Sequence, residues 1–370
     1  MRAIVCTRYG APDVLEWADL PTPEPAPHEL RVRVLTTTVN SADWRVRARA
    51  LPPGFGLLGR LALGWRGPRR PVLGSEFAGI VDAVGPAVRR FRVGDAVFGF
   101  SGGRMGCHAE YVCVAEHGPV AAIPQRLGLE HAAAMCFGGS TMLDFYRRAR
   151  LGAGEHVLVL GASGTVGTAA VQLARILGAR VTAACSAPRR ALMHRLGAQQ
   201  CIDPHAEPMA QQTERYDVVV DCHGGRGVVP LLQLLNPGGR LLLLTATLAE
   251  LLAAPWLGRL QGLRVVAGPA EERADDVQEL ARLSALGLYT PVVGAVLPWS
   301  AFREAHARVE DGHKCGSLVL RVEPLDDATA PIHKQALPPN ARPTRPDTAG
   351  NIAPAAPAEA HAPCTLPPTR

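Results

Sequence analysis

The stretch Val157-Leu158-Val159-Leu160-Gly161-Ala162-Ser163-Gly164-Thr165-Val166-Gly167 decides the fold. Four consecutive apolar residues fit a strand buried on both faces, as in a parallel sheet. Beyond the glycines, Val166, Ala170, Leu173, Ala174 and Leu177 recur at helical spacing, so the spacing predicts a helix from Val166 to Leu177. Strand, glycine turn and helix together make a dinucleotide-binding unit. The glycines permit a tight turn and close backbone approach, and the helix N-terminus offers free N–H groups and partial positive charge to a pyrophosphate. Gly161, Ser163, Gly164 and Gly167 are thus expected at a cofactor. The spacing is G-x-x-G-x-x-G: Gly164 and Gly167 supply the last two glycines of the usual G-x-G-x-x-G, and Ala162-Ser163 departs from it. The competing reading is a plain strand–helix turn.

Working outward, the apolar runs Val181–Ala184, Val218–Val220, Leu241–Leu244 and Leu263–Val266 alternate with helical segments. That alternation describes a doubly wound parallel sheet over residues 125–267. Asn236-Pro237-Gly238-Gly239 reads as a helix stop and turn before the Leu241 strand. Residues 1–124 instead read as short strands with turns: Leu30–Leu35 alternates with period two, and Ile80–Gly85 and Val93–Gly99 run through glycine turns. This is a β-rich, barrel-like domain, so the class is α/β with two domains. Residues 268–324 return to mixed helix and strand and end in Ser317–Val322. Residues 325–370 hold ten prolines and no aromatic residue, and are expected to be a disordered Pro/Ala-rich tail.

Composition excludes several classes. The only lysines are Lys314 and Lys334, so no Gly-Lys-Ser/Thr phosphate loop exists. The net charge of +6 carries one arginine cluster, Arg45, Arg47, Arg49, Arg60, Arg66, Arg69 and Arg70. With aromatics at 5% it lacks a stacking platform, so it reads as a solvated basic surface and no nucleic-acid partner is expected. Nine cysteines, an odd number with no Cys-x-x-Cys pair, argue against a disulfide scaffold and a zinc ribbon. The N-terminus enters β-like alternation with no signal-peptide core. Leu241–Leu257, the most apolar stretch, is broken by Glu250 and Pro255 and reads as buried core, not a membrane span. A cytoplasmic protein with no membrane partner is expected. The Arg, Ala, Gly and Pro usage resembles that of a GC-rich bacterial genome.

The end of the second parallel strand selects the cofactor. An acidic residue there would accept the ribose 2′-hydroxyl of NAD. The chain has Cys185-Ser186-Ala187-Pro188-Arg189-Arg190 instead. A hydroxyl and two guanidiniums suit a 2′-phosphate, so Ser186, Arg189 and Arg190 point to NADPH. The alternative is that Ser186 caps the next helix and the arginines are exposed in its first turn.

Val39–Trp44, Leu73–Gly79, Val93–Gly99, Phe137–Thr141, the glycine loop, Tyr216–Asp221, Pro237–Gly239 and Gly312–Gly316 form an ordered set. With this set the chain resembles the zinc-independent, quinone-oxidoreductase-like (zeta-crystallin-type) medium-chain dehydrogenase/reductases, from Met1 to about Val322. The resemblance implies a GroES-like domain, built from the N-terminal part and the 268–324 return, around an inserted Rossmann domain. Zinc alcohol dehydrogenases of this superfamily carry a ligand Cys where Asn40 stands and a ligand His where Ser75 stands. The four-Cys structural lobe is missing too, Cys107 and Cys113 being too few, and His108 and His117 read as incidental. No metal is expected.

By the same resemblance, Asn40 donates to a substrate carbonyl oxygen and Asp43 orients Asn40 or relays a proton. Asp43 reads equally as the cap of the following helix. Trp44 and Arg45 shape the mouth. Gly139, Ser140 and Thr141 approach the nicotinamide, Thr165 and Val166 offer N–H groups to the pyrophosphate, Cys222 and His223 line the groove, and Thr245 lies near the ribose. The expected reaction is NADPH-dependent hydride delivery to a quinone or an α,β-unsaturated carbonyl, a small electrophilic acceptor. The alternatives are an NADPH-dependent aldehyde or ketone reductase and a low-turnover nucleotide-binding scaffold or sensor. A homodimer stays open.

Overall fold

His156–Leu160 is the first of six parallel strands in the computed structural model, which describes residues 1–204, 206, 213–312 and 314–322. The proposed tail, 325–370, lies outside the described residues. Across the sheet the strands run Gln200–Ile202, Arg180–Ala184, His156–Leu160, Tyr216–Asp221, Leu235–Leu243 and Arg264–Ala267. In chain order this is third, second, first, fourth, fifth, sixth. The order reverses between His156–Leu160 and Tyr216–Asp221, and the crevice for a dinucleotide in such Rossmann-type sheets opens at that switch point.

Alternate residues feed two cores. Val157, Val159, Val181, Ala183, Val218 and Val220 face helices Cys136–Ala149 and Thr165–Ile176. Leu158, Leu160, Val219, Leu241 and Leu243 face helix Val228–Leu232 and Ala254 on the other side. Burying each of these valines and leucines contributes about 1.5–3 kcal/mol, which is why these runs are apolar throughout.

Two sequence expectations are corrected. Asn236–Gly239 is not a turn ahead of the strand; it lies within Leu235–Leu243. The register jumps from Tyr216 opposite Leu235 to Val218 opposite Arg240, so the four residues form a bulge. Pro237 has no N–H for the ladder, and Gly238 takes φ +76°. The second correction concerns Leu241–Leu257. Its strand half is buried, but the rest belongs to helix Leu248–Leu260, which leaves Leu252 and Trp256 exposed. A Thr247–Glu250 capping box starts this helix where hydropathy alone gives no boundary.

The β-rich domain is organised by Glu29–Val39, an eleven-residue strand. It pairs with Glu76–Val84, Tyr111–Ala115 and Ser317–Arg321. Register shifts at Arg31/Val32 and Val34/Thr36 let one strand serve three partners. Strands Val293–Pro298 and Ser317–Arg321 complete this sheet from the far end of the chain. Between the two domains in sequence, helix Ala274–Ala285 sends Val277, Leu280 and Leu283 into the parallel-sheet core instead. The return ends on the glycine loop: Gly316 N–H donates to the Ser163 carbonyl at 2.8 Å, and Gly316 bridges to Gly164.

Within the loop, a Cβ on Gly167 would run into the Gly161 carbonyl oxygen and the Ala162 backbone, whereas one on Gly164 would meet only Gly161 O at 3.6 Å. Gly167→Ala is expected to lower stability by about 1–3 kcal/mol, read as a lower urea midpoint at unchanged m-value. Gly164→Ala should stay within about 1 kcal/mol of the wild type. Equal midpoints for the two variants would contradict this packing.

Candidate active site

Asn40 stands at the start of helix Ser41–Ala48 in extended backbone. Its Oδ1 accepts from Ala42 N–H at 2.9 Å and from Asp43 N–H. That fixes the amide, since only an oxygen can take those bonds. The NH2 group must then point the other way, and it donates to Ser75 Oγ at 2.8 Å. An NH2 carries two hydrogens; the bond to Ser75 uses one, and the other has no protein acceptor among the described residues.

Asp43 is not the cap; it closes the capping box. One carboxyl oxygen accepts Asn40 N–H and the other Gly74 N–H, both at 2.9 Å. It is fully buried, and burial pushes its carboxyl above the usual carboxylate range against these bonds and the charge of His108. With each oxygen bonded to a backbone N–H, Asp43 positions Asn40 and Gly74. Behind it lies Glu76, also fully buried. Glu76 accepts from Thr38 Oγ1 and from the N–H groups of Cys136 and Phe137 at the start of helix Cys136–Ala149. Sequence reading did not single out Glu76; its signal was a carboxylate inside an apolar run, Leu73–Gly79.

The glycine loop ends in helix Thr165–Ile176, with Gly164 at the cap. Its first N–H groups, those of Thr165 and Val166, have no intrahelical partner. Gly161 takes φ +72°, so only glycine sits there without strain, and a Cβ on it would lie 3.6 Å from Cys222 and His223. Those two residues therefore flank the loop across the switch point. Lys314 is the side chain that sequence reading passed over. Its Nζ donates to Thr165 Oγ1 at 2.5 Å and to the Gly316 carbonyl at 2.9 Å. Burial pulls Lys314 down to about 8. Lys314, Arg189, Arg308 and Asp311 line one cavity of about 320 Å³. Arg189 is half-buried there, while Ser186 and Arg190 are exposed. Ser186 takes the cap position of the short turn Ala187–Arg189 but makes no side-chain cap bond.

A second cavity, about 430 Å³ and mostly apolar, opens between the domains. Leu58, Gly59 and Leu63 line it from one side, and Leu244, Thr245 and Leu251 from the other. Arg45 spans it, donating to Thr245 Oγ1 at 2.9 Å. Thr245 thus meets an arginine from the other domain.

Residues 138–141 lie in the first turns of helix Cys136–Ala149. Gly139 faces Leu280, where a Cβ would come within 2.6 Å of the side chain, so it serves helix packing. The glycine that approaches the loop helix is Gly138, whose added Cβ would lie 2.7 Å from Thr165 O. Thr141 Oγ1 donates back to Phe137 O at 2.6 Å within its own helix. Ser140 Oγ is buried without a partner.

Two family models match the chain: Alcohol dehydrogenase GroES-like domain over residues 26–125, and Zinc-binding dehydrogenase over residues 196–320. A quinone oxidoreductase of Pseudomonas aeruginosa is 36% identical over 207 residues, 55% of this chain and 59% of that protein. The aligned stretch is therefore less than two thirds of that relative. The solved quinone oxidoreductase from Coxiella burnetii superposes with a TM-score of 0.78 at 27% identity, over 87% of this chain and 99% of the other. A solved NAD-dependent alcohol dehydrogenase superposes with a TM-score of 0.71 at 30% identity, over 87% of this chain and all of the other.

Burial pushes Glu76 up to about 7, against an ordinary 4.5, although Thr38, Phe137 and Cys136 favour its charged form. Between these values the native state holds a proton that the unfolded chain has released. Stability contributed by this group therefore falls as pH rises from about 4.5 to 7. Glu76→Gln should remove that slope, measured as urea midpoints at several pH values across the window. Identical slopes in wild type and variant would overturn it.

Proposed function

Because the chain belongs to the quinone-oxidoreductase-like medium-chain dehydrogenase/reductases, a family of nicotinamide-dependent oxidoreductases, we propose that it reduces quinones or α,β-unsaturated carbonyls with NADPH and without a metal. The observation that carries this reading is the Asn40–Ser75 hydrogen bond. The zinc named in one matched family description does not fit here. An amide nitrogen and a hydroxyl bonded to each other are poor zinc donors, and among the described residues no three His, Cys, Asp or Glu side chains are grouped to hold a metal.

A nicotinamide dinucleotide fits the glycine loop. Gly164 leaves open space beside the free N–H groups of the helix start, where a side chain would intrude. Bound there, the cofactor supplies a hydride. Thr165 and Val166 N–H groups would hold its pyrophosphate, with the Lys314 ammonium alongside. Arg189 would meet the 2′-phosphate, with Ser186 and Arg190 at the surface beside it. Gly161 and Gly167 shape the turn, Cys222 leaves room at its flank, and Thr245 closes the groove against Arg45.

Asn40 would donate its spare N–H to the acceptor's carbonyl oxygen, pre-aimed by the helix cap. One neutral donor stabilises an alkoxide less than a metal does, so the acceptor must spread the arriving charge itself. Conjugated quinones and enones do so; simple aldehydes do not. The apolar cleft beside Thr245 suits such a planar, electron-poor substrate.

Three arms test this. In an NADPH-oxidation assay a quinone or enone should exceed a simple aldehyde by at least about tenfold in kcat/KM, close to 1.4 kcal/mol; the reverse order would contradict the reading. Arg189→Ala with Arg190→Ala should weaken NADPH by about tenfold or more in fluorescence titration and leave NADH nearly unchanged, since only NADPH carries the phosphate. Lys314→Met should weaken both cofactors. Because Lys314 loses its charge near pH 8, affinity for both should fall as pH rises through that value in the wild type and not in Lys314→Met.

A further inference from the structure

We propose that the face around the mouth of the apolar cleft docks onto an anionic phospholipid bilayer, so that apolar acceptors enter from the lipid. The second clause rests on the acceptor chemistry proposed above; the docking surface does not. Two helices flank the cleft. Helix Gly56–Leu63 and the turn after it expose Leu57 at 65%, Leu61 at 51% and Trp65 at 59%. Helix Leu248–Leu260 exposes Leu252 at 72%, Trp256 at 66% and Leu260 at 67%. The last three are four residues apart and so form one stripe. The two helices are tied at their starts, where Leu248 N–H donates to the Pro53 carbonyl at 3.0 Å. Leu58 and Leu251 line the cleft between them. Single exposed apolar residues are ordinary, but six on and beside two helices that are tied together and both line the cleft are a patch.

The charge around the patch selects the occupant. From Trp44 to Ser75 the sequence has seven arginines and no Asp or Glu; from Leu251 to Ala270 it has two arginines and again no acid. Arg47 pairs with Glu310 and Arg45 reaches Thr245. Arg60 lies over the Trp65 ring at 5.5 Å. Among the described residues, Arg60, Arg66, Arg69 and Arg70 have no carboxylate partner. An apolar stripe with an uncompensated cationic rim matches acyl chains beneath anionic headgroups. A two-fold contact with a second copy would set each arginine rim against its like, and Glu250, the acid on helix Leu248–Leu260, is already bonded within its own capping box. Among the described residues no helix is long and apolar enough to cross a membrane, so the contact is at the surface. This goes beyond the sequence expectation of no membrane partner, which rested on the lack of a span.

The test is flotation of the full chain with extruded vesicles of phosphatidylcholine alone or with about one-third phosphatidylglycerol. Binding to the anionic vesicles should exceed binding to the neutral ones by about tenfold or more at low salt and fall at high salt, each interfacial arginine being worth about fivefold. The Leu57→Glu, Leu61→Glu, Trp256→Glu triple variant should lose binding by at least about tenfold. Arg60→Glu with Arg66→Glu and Arg69→Glu should lose the preference for anionic lipid. Reduction of a short, water-soluble quinone should stay at the wild-type rate in both variants, which also reports their folding, while reduction of a long-tailed quinone held in anionic vesicles should drop. No binding to anionic vesicles, or wild-type binding by the triple variant, would overturn the proposal. So would light scattering in which the triple variant splits a dimer while neither protein binds vesicles, since the patch then belongs to a second copy. Vesicle binding without quinone reduction would uphold the docking surface and overturn the acceptor reading alone.

Discussion

The site depends on one helix cap. Two backbone N–H groups at the start of Ser41–Ala48 must find an acceptor, and the Asn40 side-chain oxygen takes both. Such a cap is worth about 1 kcal/mol to the helix, but its larger effect is directional. With the oxygen fixed, the NH2 end is turned to Ser75. Asp43 locks the arrangement from below by taking the N–H of Asn40 and of Gly74, which precedes Ser75. One carboxylate thereby sets the spacing of both halves of the Asn40–Ser75 pair. Asn40→Asp would place an oxygen where the structure needs a donor, and the proposed chemistry would lose its aim without the fold being lost.

The second constraint is the return of the chain. The β-rich sheet is incomplete until Val293–Pro298 and Ser317–Arg321 join it, and the segment leading into the latter strand passes over the glycine loop. Gly316 is held to Ser163, and Lys314 to Thr165. The same contacts that join the two domains therefore bring an ammonium to the helix N-terminus. The cavity shared by Lys314 and Arg189 extends this basic lining toward the end of the second strand. A pyrophosphate and a 2′-phosphate are separated by one ribose, and the proposed preference for NADPH draws on both ends of that lining.

Much of this was legible in the sequence because parallel strands buried on both faces leave unbroken apolar runs; His156–Leu160, Arg180–Ala184 and Tyr216–Asp221 each lie within a residue or two of the run that announced them. Gln200–Ile202 was not announced, since a three-residue edge strand with Gln200 exposed carries no such run. Helix Leu248–Leu260 misled in the opposite sense: its leucines and tryptophan suggest burial, and nothing local tells an apolar surface from an apolar core. Asn40 and the glycine loop could be picked out because their chemistry is local. Lys314 and Gly138 could not, because their partners, Thr165 in both cases, are far away in sequence. The basic cluster at Arg60–Arg70 was visible as charge, and only the structure sets Arg60 over the Trp65 ring and their helix against the cleft.

The central claim is that a helix-capping asparagine, hydrogen-bonded to a serine, does the orienting in place of a metal. Metal content measured together with activity on the same preparation tests it most directly. The protein, dialysed against a strong chelator and analysed by plasma emission spectroscopy, should hold well below one zinc per chain and keep its full rate of NADPH-dependent quinone reduction. One tightly held zinc per chain, or activity lost to the chelator and restored by zinc, would contradict the account.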